Sequence, residues 1–355
     1  MITLASIRLL TFGCLAALCA PAVAGQQMSP QGPQTSQSSG AYSRAGQTDP
    51  QAKDQPTDAE FQAAKKVEAG KDAAARLQAA GDFVKKYPKS SLLKQVAPLV
   101  AAKITDVQDP AQKISLAENY LAVFKEPAQQ DVIVPALIDA YVKANRVDDA
   151  FKQAAGYLER NPNDVPILTN VTLVGVDQAK RKNTKFVPQI RQYGAKAIEL
   201  IEAGNRPELL TDAQWTEYKT KWLPLLYQQL GLLAMVTGDA ADAKAKLEKS
   251  ISLNPSDPFS YYLMGGLAND EYTKLAAQYK SMLPGPDQDQ TLNKALAEMD
   301  LTIDFFAHSV ALSDGVPAYL GLHDSLMSDL EKYYKYRHKD STEGLQQLID
   351  KYKKH

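Results

Sequence analysis

Two stretches of this chain repeat one another at a distance of 34 residues, and that recurrence limits the fold more than any other feature. Tyr227, Leu230, Gly231 and Ala234 are followed by Tyr261, Met264, Gly265 and Ala268, the same residue types in the same order. Within each set the spacings put all four residues on one face of a helix. After the first set, Gly238-Asp239 makes a turn. Ala243, Leu247 and Ser250 then mark the facing stripe of a second helix, and Pro255 closes it. Gly231 reads as the point where the second helix crosses the first, since a side chain there would push the two apart. Ala243 is small for the matching reason. Gly238 supplies the freedom to leave the first helix, Asp257 caps the next unit, and Pro258 suits its first turn.

The rest of the chain is read against this unit. Apolar residues recur at three- and four-residue spacing almost throughout. Pro88, Pro127, Pro162, Pro207, Pro255 and Pro284 fall between segments, and no alternating Val/Ile-rich run suggests a strand. The fold class is therefore all-α. A further copy of the pattern starts at Val134, with Leu137, Tyr141, Ala150 and Pro162 in register, although Ile138 stands in the glycine position and Tyr157 in that of a later small residue. The segment from Ala69 to Ser91 matches only a second helix and its closing proline.

These residues resemble the tetratricopeptide repeat family, whose 34-residue helix-turn-helix unit carries an aromatic residue, Leu-Gly, small residues and a final proline in this order. The best units are about 131–164, 224–257 and 258–283. The resemblance implies a right-handed α-solenoid of stacked helix-turn-helix pairs, whose first helices line a concave groove. It also implies binding of protein or peptide partners, with no catalytic centre and no cofactor. Counted from the small residues, the groove-facing positions are Asp139 and Lys143 in the earlier unit, then Gln228, Leu232, Met235, Tyr262 and Asn269. The segment from Gln288 to Ser313 fits stacking. Met299, Ile303, Phe306 and Val310 mark one face and Leu301, Phe305 and Leu312 nearly the opposite one, as in a helix packed between neighbours.

The N-terminal 24 residues read as an export signal. Arg8 precedes an apolar stretch from Leu9 to Ala20, and Ala22-Val23-Ala24 offers small residues for cleavage. The stretch is shorter than the ~18 residues a membrane-spanning helix needs. Residues 25–56, rich in Gln, Ser, Pro and Gly, read as a flexible tether to a helical domain over 57–355. Thr57 with Glu60 forms a capping box that opens its first helix. The expected location is the periplasm or outside the cell of a bacterium. Both cysteines, Cys14 and Cys19, lie in the signal, so the exported chain has no thiol chemistry, disulfide or cysteine metal site. A net charge of −1 argues against a nucleic-acid binder.

Other chemistry is weaker. Asp287, Asp289 and Glu298 sit at the first, third and twelfth places of a calcium loop, but Leu292 occupies the place that needs glycine. Asp300, Asp304 and His308 share a helical stripe and read as a polar surface rather than a metal site. His308, His323, His338 and His355 form no metal-ligand motif. Trp215 and Trp222 read as anchors between stacked units. The stretch from Glu331 to His355 holds seven Lys/Arg against four Asp/Glu and reads as a solvated terminal cap, or as a weak contact for an acidic partner. A second functional class stays open: a cell-envelope protein that binds or processes glycan. Hydrolysis would need two carboxylates flanking the scissile bond, and no pair is singled out.

Overall fold

Helix follows helix from Asp58 onward in a computed structural model that describes residues 55–353. The export signal and all but the last two residues of the tether lie outside the described residues. The helices are α1 (Asp58–Glu68), α2 (Ala73–Lys86), α3 (Leu93–Thr105), α4 (Pro110–Val123), α5 (Pro127–Gln130), α6 (Val134–Lys143), α7 (Val147–Arg160) and α8 (Val165–Lys180). They continue as α9 (Val187–Glu202), α10 (Asp212–Val236), α11 (Ala240–Leu253), α12 (Pro258–Ser281), α13 (Pro286–Ser313), α14 (Leu320–Arg337) and α15 (Leu345–Asp350). No strand occurs among the described residues.

The starts are written locally. Thr57 opens α1 with a complete capping box: its backbone N–H donates to Glu60 at 2.7 Å, and its hydroxyl accepts from the Glu60 N–H at 3.3 Å. Asp72, Asp109, Asp164, Asp239 and Asp257 each accept a backbone N–H at the head of a helix, and proline follows directly in α4 and α12 and one residue later in α8. Gly238 ends α10 with φ +81°, a left-handed conformation that glycine takes without strain.

The helices pack as successive antiparallel hairpins: α1 with α2, α3 with α4, α6 with α7, α8 with α9, α10 with α11, and α12 with α13. Each hairpin also touches the next, as α8 does α10 and α11 does α12. The fold is thus an all-α solenoid of stacked pairs. One continuous apolar core runs along it from Val67 in α1 to Met264 in α12.

Glycine sets the closest crossings. A Cβ on Gly231 would lie 2.9 Å from Leu247 Cγ and 3.4 Å from the Ala243 carbonyl, so the second helix does cross the first here. Gly265 faces the Phe306 ring, with a Cβ falling 2.4 Å from it. Gly175 does the same against Ile190 of α9, at 2.3 Å. Three hairpins therefore use a first-helix glycine to admit a large apolar side chain from their second helix. The α8–α9 hairpin shows no repeat beyond helical periodicity in the sequence, yet its Val174-Gly175 occupies the Leu-Gly position.

Two boundaries differ from the sequence reading. The unit at 258–283 is a single helix, Pro258–Ser281, that runs through Gly265-Gly266 and Asn269-Asp270 without a turn. Its hairpin partner is α13, which explains why Gly265 meets Phe306. The first helix of the unit at 224–257 begins earlier, at Asp212, and runs through Pro224. Pro224 has no N–H to offer the Thr220 carbonyl one turn earlier, and its own carbonyl accepts the Ser250 hydroxyl at 2.9 Å, a bond that ties α11 to α10.

Candidate functional site

Most of the positions counted as groove-facing carry the stack. Gln228 is buried, and its amide donates to the Asp257 carboxylate and to the Ser260 hydroxyl, the latter at 2.8 Å. The same Asp257 oxygen accepts the Ser260 N–H at 2.8 Å, and its partner oxygen accepts Tyr319 at 3.2 Å. Gln228 thus ties α10 to the cap of α12, a polar lock inside the core. Leu232 is 1% exposed and Asn269 7% exposed. Counting from Gly231 and Gly265 places these three residues on the right helices. Their burial leaves them no open face toward a partner, because α10 packs against α8, α9 and α11, and α12 against α11 and α13. Tyr262 is half-buried between Phe259 and Phe306, with ring centroids 5.6 Å and 6.1 Å away, and burial raises its hydroxyl pKa. Asp139 and Lys143 stand partly exposed on α6, bound to each other at 2.7 Å.

Met235 is the one counted residue that lines an open cleft. The cleft has a volume of about 530 Å³ and lies between α11 and α13, with the end of α10 and the middle of α12 as its floor. Met235, Met264, Leu267, Leu301 and Phe305 supply its apolar surface. Leu301 is 44% exposed, although it belongs to the second apolar face of α13. Phe305 and Leu312 on that face are half-buried. The second face of α13 is therefore only partly covered, and the uncovered part opens into the cleft.

The rim is charged: Lys244 on α11, Asp270, Glu271 and Lys274 on α12, and Glu298 on α13. Glu271 pairs with Lys274 at 3.4 Å. Asp270, Glu298 and Lys244 enter no ion pair among the described residues. Burial pushes the Asp270 carboxyl pKa up, and the Lys274 charge offsets part of that rise.

The remaining polar groups named above are held within the fold. Arg337 forms a fork on Asp300 at 2.8 and 3.1 Å. Asp304 accepts from the Tyr352 hydroxyl and faces Lys351 at 3.8 Å. His308 is stacked between Tyr261 and Tyr352, at 3.7 and 4.1 Å. The stripe of Asp300, Asp304 and His308 is where the C-terminal segment docks. The basic tail is correspondingly engaged: Lys332, Lys335, Arg337, Lys351 and Lys353 all pair with acids of the chain. Trp215 is buried against Tyr218, and Trp222 is half-buried at the other side of that ring. Among the described residues no three acidic, histidine or cysteine side chains are grouped to hold a metal ion. No described helix is long and apolar enough to cross a membrane.

No family model matches the chain, and no curated protein matches it. Among solved structures it is similar to a tetratricopeptide repeat protein from Parabacteroides merdae ATCC 43184. The two share 12% sequence identity and a TM-score of 0.34, over 82% of this chain and 95% of that one. The stacked hairpins rest on the residues described above, independently of that likeness.

Proposed function

We propose that this chain is an exported, non-catalytic scaffold that holds protein partners in the cell envelope, and that it does so through the cleft between α11 and α13. One observation carries the reading: Leu301 presents apolar surface to solvent above the Met235 floor of a shaped cleft, inside a ring of charges. A cleft of about 530 Å³ with an apolar floor and a few charged groups is the surface chemistry of a recognition site. Export rests on the N-terminal signal alone.

The test is affinity capture from native envelope extract with wild type, a Met235→Glu/Leu301→Glu variant and a Lys125→Ala control. The reading expects identified partners to be retained by wild type and control and lost from the cleft variant, whose helicity stays unchanged. Equal retention by all three would remove the cleft from the account.

A further inference from the structure

The cleft also specifies what shape of partner fits it. We infer that it takes an amphipathic helix of another protein, with an apolar stripe flanked by basic residues on one side. This rests on the proposal that the cleft is a binding site, and it adds the class of occupant.

The first argument comes from the backbone. All four walls are helices, whose amides are bonded within their own turns. The floor consists of side chains without polar atoms able to pair a backbone: Met235, Met264, Leu267 and Phe305. An extended segment laid there would turn amide groups toward that floor and leave them unpaired. A helix satisfies its own backbone and presents only side chains. Its ridge also suits the space between two helices that share a third as floor.

The second argument comes from α13. Its two apolar faces ask for a neighbour on each side, and on the Leu301 side none is present along the cleft. A helical ligand would supply the missing neighbour. Charge then sets its orientation. Asp270 and Glu298 stand unpaired on the α12–α13 side, and Lys244 stands unpaired on the α11 side. A ligand with Lys or Arg next to its apolar stripe, facing α12 and α13, would answer both acids. An acidic residue on its opposite flank would meet Lys244.

Peptides of about four helical turns would be displayed and selected on the full chain, with the Leu301→Glu variant as counter-selection. Because Leu301 is partly exposed, this substitution leaves the fold intact, which circular dichroism checks. Enriched peptides should carry apolar residues at three- and four-residue spacing with a basic flank. A labelled representative should gain helicity on binding and bind Leu301→Glu more weakly by about tenfold or more. Asp270→Asn with Glu298→Gln should weaken it further as a loss of salt dependence. Enriched peptides with strand-like alternation or no period would overturn the inference while leaving the cleft as a binding site. Peptides that bind the Leu301→Glu variant equally, or no enrichment at all, would overturn both. Sedimentation supplies the last arm: dimerisation of the chain lost in Leu301→Glu would make the occupant a second copy and overturn the inference.

Discussion

Gly265 and Gly81 are both helical glycines, but their surroundings give opposite expectations for an added methyl group. At Gly265 a Cβ would fall 2.4 Å from the Phe306 ring, and Phe306 is 2% exposed, so the ring has nowhere to move. At Gly81 the nearest atom is Val123 Cγ2 at 3.8 Å, an ordinary contact. Gly265→Ala should therefore destabilise by about 1–3 kcal/mol through overpacking. Gly81→Ala should be neutral or stabilising by up to about 1 kcal/mol, because alanine favours the helix. Thermal melts of the two variants check this, and similar losses at both sites would contradict the crossing geometry. Lys246 provides a reference: its ion pair with Asp242 within one helix makes Lys246→Ala a change of at most about 1 kcal/mol.

His308 carries a second expectation at this scale. Burial holds its imidazole below its usual pKa; Asp304 opposes that effect and Lys351 adds to it. On acidification through about pH 6.5, the unfolded chain binds this proton before the folded chain does. Stability is thus full above that pH and falls below it. His308→Phe keeps a ring between Tyr261 and Tyr352 but cannot titrate. Its melting temperature should decline less than that of wild type between about pH 7 and pH 5. Identical slopes would show that the clamp contributes nothing to the acid response.

At the scale of elements, α15 is a structural part of the solenoid rather than a solvated cap. Leu345 and Ile349 are 4% and 3% exposed, and Tyr352 and Lys353 bind Asp304 and Asp314 of α13 and its exit. At about 1.5–3 kcal/mol per buried aliphatic side chain, truncation after Gly344 should cost several kcal/mol. A truncated chain that melts like wild type would return α15 to the role of a loose tail. The engagement was hard to read from sequence because contacts such as Arg337–Asp300 and Tyr352–Asp304 join residues 37 and 48 positions apart. Helix starts, by contrast, are decided within four residues, and Thr57 and Asp257 were legible for that reason. The Gly231 crossing was legible because Ala243 and Leu247 lie on the next helix. The partner of Gly265 was not legible, because the continuous length of α12 makes α13 its hairpin partner and brings Phe306 against it. The candidate site divides the same way. Met235 was legible from its distance to Gly231, while the burial of Gln228, Leu232 and Asn269 depends on packing that counting along one helix does not show. The second face of α13 was visible in Leu301 and Phe305, but which side lacks a neighbour depends on the stack.

At the scale of the molecule, the solenoid packs many of its polar residues into locks and ion pairs, and the cleft between α11 and α13 presents apolar side chains to solvent. The proposed export of this scaffold predicts a mature chain beginning at Gly25, which mass spectrometry of the secreted or periplasmic protein checks; an intact Met1 in that fraction would contradict it. The cleft itself is tested most directly by a photo-crosslinking amino acid placed at Leu301 in cells, with the exposed Leu253 position as control. The account predicts that position 301 forms a discrete crosslink to another protein, that Met235→Glu abolishes it, and that position 253 gives none. Crosslinks of equal yield from both positions, or a crosslink from 301 that persists with Met235→Glu, would contradict it.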